Sequence, residues 1–269
     1  MQWAIVHVLE RHFASAVLAG LIAVAGPAAA DVELTPHSAE YEVKIRILSG
    51  ELTTRLDRTD SGYRAVHKVE PKGIAAALLK GDIEESSSFV LAAEGVRPLH
   101  YTSVDTISSD KTEADFHFDW AEESIAGKLD GQAVEMSFDG AAHDRISIQY
   151  AMMRDMIAGE TDRTYVLFDI DEFKTLHIKM IGTKEVKVPA GRYTAVGIQH
   201  QAEGSSRVTT LWCVPELDYL PVIIEQHRKG KLNLRAMLAN YEAEAAGDET
   251  PPRPAAPASS GRNRQLQDQ

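Results

Sequence analysis

From residue 38 to residue 242 apolar side chains recur at every second position, and that period commits most of the chain to β-strands. Ala39, Tyr41, Val43, Ile45 and Ile47 alternate with Glu40, Glu42, Lys44 and Arg46. Successive side chains leave a strand on opposite faces, so this pattern describes a half-buried antiparallel strand. Similar runs follow at 63–69, 86–91, 98–104, 114–120, 176–181, 193–201, 208–214, 221–227 and 231–238. Turn dipeptides separate them: Ser61-Gly62, Glu94-Gly95, Asp130-Gly131, Glu203-Gly204 and Lys229-Gly230. About a dozen strands at this spacing build a barrel, a half-barrel or a sandwich.

Two stretches break the rhythm. Between Asp144 and Gly159, residues Ile146, Tyr150, Met153 and Ile157 recur at helical spacing and Met152 and Met156 widen the stripe. Asp144 suits an N-cap and Gly159 a C-terminal left-handed position. The second break, 72–81, is a short apolar segment bracketed by Lys72-Gly73 and Lys80-Gly81. It reads as one or two helical turns plugging an end of the sheet, or as an apolar lid over a cavity.

The first thirty residues read as a secretory signal peptide. Arg11 precedes an uncharged apolar run at 13–25, a Gly26-Pro27 break follows, and Ala28-Ala29-Ala30 supplies an A-x-A cleavage site before Asp31. The run is too short to remain as a membrane span, so no integral span is expected after cleavage. Glu10 and Arg11 cancel, which leaves the whole net charge of −12 on the mature chain. That charge disfavours nucleic acid and anionic lipid surfaces as electrostatic partners. The one cysteine, Cys213, excludes an intrachain disulfide and suggests a domain large enough to do without one. Export with so little cysteine points to the periplasm. Residues 246–269, rich in Pro, Ala, Ser and Gln, lack apolar content to pack and read as a disordered tail. One β-rich domain over 31–245 remains.

The sequence of this domain carries no recognised catalytic or metal-binding signature. Its eight histidines are evenly spread, with no HExxH and no Cys–His cluster; His117, His177 and His227 read as solvated or core-satisfied. Asp169-Ile170-Asp171-Glu172 lacks the spacing of a calcium loop and reads as a solvated hairpin tip. Glu84 and Glu85 are adjacent and face opposite sides of a strand, so they cannot share a substrate. The pair Asp144-Arg145 falls at a helix–sheet junction, where capping and local pairing explain it. No catalytic residue, metal site or cofactor is expected.

The order Val188-Pro189-Ala190-Gly191, then Trp212 with Pro215, then Leu220-Pro221-Val222 is distinctive, as are Asp144-Arg145-Ile146-Ser147 and His117-Phe118-Asp119-Trp120. The first of these reads as a tight three-residue hairpin with a glycine bulge. Together, over roughly residues 38–241, they resemble the bacterial domain of unknown function 3108 family. The resemblance implies a periplasmic protein with a curved antiparallel sheet, and it implies no activity and no catalytic residue.

The expected fold is therefore mainly β: a curved antiparallel sheet forming an open or half β-barrel, with one amphipathic helix packed on it. Two functions remain open. One is a non-enzymatic periplasmic protein that holds a lipid or other hydrophobic ligand, with Ile74, Leu78, Leu79, Tyr150, Met153 and Trp212 as cavity or lid residues. The other is a structural or interaction protein of the cell envelope that works through partner proteins and has no small-molecule ligand.

Overall fold

The computed structural model describes residues 32–107, 111–202 and 204–244. The signal peptide read at 1–30 and the tail read at 246–269 lie outside the described residues. Strand β1 (His37–Ile45) leads to β2 (Leu48–Thr59) and β3 (Gly62–Lys72). A five-residue helix α1 (Ile74–Leu78) precedes β4 (Ile83–Ala92), β5 (Gly95–Asp105), β6 (Thr112–Asp119), β7 (Ser124–Leu129) and β8 (Gln132–Ser137). Helix α2 (Ser147–Ile157) then leads into β9 (Thr164–Phe168), β10 (Phe173–Val188) and β11 (Gly191–Ala202). The chain closes with β12 (Arg207–Val214), a 3-10 turn at Pro215–Leu217, β13 (Leu220–Arg228) and β14 (Lys231–Ala243).

These strands form one antiparallel sheet made of two meanders, β1 to β8 and β9 to β14, which join because β14 pairs with β1. The order leaves β8 and β9 as the two edges. Direction alternates across the whole sheet, so the hairpins β1–β2, β9–β10, β11–β12 and β13–β14 share one end with α1.

The sheet rolls up without closing. The ring of Phe168 on β9 meets Phe116 on β6 edge-on at 4.9 Å, so the two halves touch through side chains instead of ladder hydrogen bonds. The edge of β9 is also covered: the His143 N–H donates to the Val166 carbonyl at 2.9 Å, and the Phe168 N–H to the His143 carbonyl at 2.7 Å. A covered edge cannot recruit another strand.

The inner face follows from the alternation. Ala39, Tyr41 and Val43 of β1 are buried while Glu40, Glu42 and Lys44 are exposed. Ala114, Phe116 and Phe118 of β6 are buried between exposed Glu113, Asp115 and His117. Helix α2 lies on this face. Its Ile148, Tyr150, Met152, Met153 and Met156 are buried, and the Tyr150 ring stacks on Phe89 of β4 at 5.2 Å. Eleven residues are too few for a stable isolated helix, so packing sustains it; each large apolar side chain buried contributes about 1.5–3 kcal/mol.

Both ends of α2 are capped as the residues foretell. The Asp144 carboxylate accepts the backbone N–H groups of Ile146 and Ser147, each at 2.8 Å, and the Asp144 N–H donates to the Ser147 hydroxyl at 3.0 Å. At the other end Gly159 adopts φ 80°, the Gly159 N–H reaches the Met156 carbonyl and the Glu160 N–H reaches Asp155, a Schellman closure.

Three details differ from the sequence reading. Strand β1 stops at Ile45, and Ile47 sits 94% exposed in the turn, where Arg46 takes φ 55°. The hairpin at 188–191 has a two-residue loop, because Val188 pairs directly with Gly191. Strands β2, β7 and β8 went unread because polar or glycine residues occupy much of them, and β9 because its five residues are too few and too uniformly apolar to show a period of two.

Candidate functional site

The sheet positions a charged chain of residues at the N-terminus of α2. Asp144 is fully buried, and besides capping the helix it accepts a 2.6 Å hydrogen bond from the Ser87 hydroxyl of β4. Burial pushes its carboxyl up to about 6 against those hydrogen bonds, which act to lower it. Arg145 pairs with Asp169 and reaches Glu85 at 3.5 Å, and Glu85 accepts the Tyr101 hydroxyl at 2.5 Å. Asp169 also pairs with Lys174, which holds Glu172 at 2.6 Å. Burial acts to raise the Asp169 carboxyl, and Lys174 and Arg145 together hold it below its ordinary range. The turn 169–172 is therefore tied to the helix start, which corrects the reading of a solvated hairpin tip. Ile170 within it takes φ 68° although β-branched, a conformation that persists only where its surroundings enforce it.

Asp169, Glu172 and Lys174 of this charged chain line a cleft of about 570 Å³ at the end of the sheet shared by the odd-to-even hairpins. Leu167, Phe173, Leu176 and Ala202 supply its apolar surface. Register lines up the rest: Thr209 faces Gln226 on one side and His200 on the other, and Arg207 faces Arg228. Like charges directly opposite across two strands are unfavourable. Among the described residues neither guanidinium has a carboxylate partner, whereas Lys174 in the same cleft has two. A chain of net charge −12 thus sets two arginines that have no carboxylate partner among the described residues beside an apolar wall. His200 is driven down to about 4 by burial and stays neutral above that.

A second cavity, about 440 Å³, lies among Arg97, Trp120, His143, Asp155 and Tyr165. Its charges are largely satisfied internally. Asp155 accepts the Tyr165 hydroxyl at 2.7 Å and pairs with Arg163 at 3.1 Å.

The six residues expected to hold a ligand do not meet in one place. Tyr150 and Met153 are buried on α2. Ile74 and Leu78 are 78% and 69% exposed on α1, with Leu79 half-buried beside them. This helix shares the end of the sheet with the cleft, four strand spacings from β13, roughly 19 Å along the sheet. Trp212 lies on the face of β12 opposite Leu211 and Thr209, under the Lys184 ammonium at 3.6 Å and across Gly197, where a Cβ would strike the indole. Sequence reasoning missed Arg207, Arg228, Lys174 and His200.

Inward-facing polar atoms also lie deep under α2. Tyr150 Oη, His37 Nε2, His67 Nε2 and Thr54 Oγ1 are buried without a hydrogen-bond partner among the described residues. The Tyr150 ring centre is 6.5 Å from that of His37 and 6.4 Å from that of His67. A buried hydroxyl without a partner contributes nothing to offset its desolvation. Tyr150→Phe is accordingly expected to keep the stacking on Phe89 and shift the unfolding free energy by less than about 1 kcal/mol, toward stability. Urea denaturation checks this; a loss above that size would show that the hydroxyl is bonded in solution.

A family model for proteins of unknown function, DUF3108, matches residues 39–234. A search of curated proteins finds no match. Among solved structures, the crystal structure of a β-barrel-like protein of domain of unknown function DUF1849 from Brucella abortus is similar at TM-score 0.55. It is 12% identical, and the match covers 80% of this chain and 100% of that one. A candidate exported protein with a YmcC-like fold from Bacteroides fragilis matches at TM-score 0.33 and 12% identity, over 77% of this chain and 95% of that one. A candidate lipoprotein from Parabacteroides distasonis matches at TM-score 0.30 and 13% identity, over 78% and 100%. The first of these shares the β-barrel-like fold.

Proposed function

The chain belongs to the DUF3108 family of proteins of unknown function, and from that premise we propose that it is a non-enzymatic periplasmic protein that binds a hydrophobic ligand bearing an anionic group. The observation that carries this reading is the Arg207–Arg228 pair, unpartnered by carboxylate among the described residues and set beside Leu167, Phe173 and Leu176 in one cleft. The cleft falls within the range of small-molecule sites. Each methylene buried against its apolar wall contributes about 0.8 kcal/mol, and a carboxylate or phosphate between the two guanidiniums removes their mutual repulsion. Exposed Ile74 and Leu78 on the same rim offer apolar surface to a ligand long enough to leave the cleft.

A fluorescent long-chain fatty acid titrated into the native chain tests this. Saturation at one molecule per chain is expected, weakened more than about tenfold in Arg207→Glu/Arg228→Glu, since each charge-assisted bond lost contributes about 1.5–3 kcal/mol. Both arginines are exposed, so the melting temperature should stay unchanged. Leu78→Asp should weaken the long-chain probe and spare a short-chain one. No saturable binding, or equal binding by the charge-reversed variant, contradicts the proposal.

A second reading is an envelope interaction protein. The packed interior under α2 favours it, as do the exposed apolar side chains of Ile47, Ile74 and Leu78, which a protein partner would cover. Silence toward every amphiphile together with retained folding would leave this reading standing.

A further inference from the structure

On the outer face of the sheet, apart from the cleft, register sets two imidazoles and a carboxylate together. His100 of β5 lies directly opposite His117 of β6, and Asp115 is two residues from His117 on the same face. The imidazole rings are parallel within 4° with centres 4.1 Å apart. His100 Nε2 is 2.8 Å and His117 Nε2 3.8 Å from the same Asp115 oxygen, and the three ligand atoms all lie within 4.8 Å of one another.

We infer that His100, Asp115 and His117 form a binding site for a divalent transition-metal ion, zinc above all. The donor set argues the class: two imidazole nitrogens with one carboxylate oxygen suit zinc, nickel, copper or ferrous iron, whereas calcium and magnesium demand oxygen ligands. The support argues for preorganisation. Two neighbouring strands in the body of the sheet hold the three positions, anchored from beneath by fully buried Tyr101 and Phe116. A small rotation of each ring brings both Nε2 atoms toward one ion, and exposure of the site leaves its remaining positions to water or to an outside ligand. Two imidazoles stacked face to face gain little from each other, and one ion bridging them with Asp115 satisfies all three at once.

Untagged, chelator-treated chain titrated calorimetrically with zinc chloride at pH 7.5 should bind one ion. His100→Ala and His117→Ala should each weaken binding by more than the roughly tenfold cost of losing an outer-shell partner. All three side chains are outside the core, so circular dichroism of each variant should match the parent. Cobalt substituted for zinc should give a visible absorption band that is absent from the His100→Ala/His117→Ala double variant. No one-to-one binding at micromolar zinc, or the same binding and spectrum in the double variant, would overturn the site.

Discussion

Asp144→Ala should cost the fold about 3 kcal/mol or more, a larger loss than helix capping alone explains. An N-cap aspartate replaced by alanine costs about 0.5–2 kcal/mol. Here the carboxylate is fully buried and also accepts the Ser87 hydroxyl, so its removal strands that hydroxyl and two helix N–H groups away from water. Each buried donor left unpaired costs about 1–3 kcal/mol. Asp144→Asn keeps one carbonyl oxygen for the helix N–H groups and should lose about 1 kcal/mol, because a carboxyl already pushed up to about 6 gains little from its charge. Urea denaturation at pH 7.5 gives both numbers. An alanine variant within 1 kcal/mol of the parent would show that α2 is not pinned to β4 through this residue.

Stability should fall steeply as pH drops from 6.5 toward 4. Burial drives His67 and His143 to about 4, with His37 and Arg163 respectively adding to the effect, and drives His200 to about 4. Their folded values lie below the unfolded value of about 6.5. Below pH 6.5 the unfolded chain therefore takes up protons that the folded chain refuses, and stability declines until the folded pKa is reached. His37, lowered by burial, acts in the same direction. Asp144 acts oppositely: its raised folded value contributes stability below its unfolded value, and that contribution is lost as pH rises through about 6. The three histidines held at about 4, set against the one aspartate and without counting His37, leave about two net protons, or roughly 2.7 kcal/mol per pH unit between 6 and 4. A domain of ordinary stability, about 5–15 kcal/mol, loses much of it over that interval. Denaturant midpoints across this range check the slope, and a flat or rising profile would mean that these imidazoles are solvated.

The strands were legible where one face was uniformly apolar, as in β1 and β6. They were hidden where the inner face is polar: β2 buries Thr54, so alternation of apolar with polar fails there, and β4 was legible only from residue 86 because Glu85 stands at a half-buried position before it. The helix and both its caps were readable because capping depends on local residues alone. The cleft was not, because its residues meet only through register. Counting back from the β12–β13 loop, where Cys213 pairs with Pro221, would set Arg207 against His227. A bulge between Trp212 and Cys213 shifts the count by one and brings Arg228 opposite instead. The pairing of His100 with His117 likewise depends on the register across the β5–β6 connection, which no single strand reveals.

Ligand occupancy of the Arg207–Arg228 cleft is tested most directly by mass spectrometry of an organic extract from chain purified without detergent from its own cells. An acidic amphiphile present at about one molecule per chain, and missing from Arg207→Glu/Arg228→Glu prepared in parallel, is the predicted result. An extract empty of amphiphile, or the same lipid at the same ratio in both preparations, would contradict the cleft as a binding site.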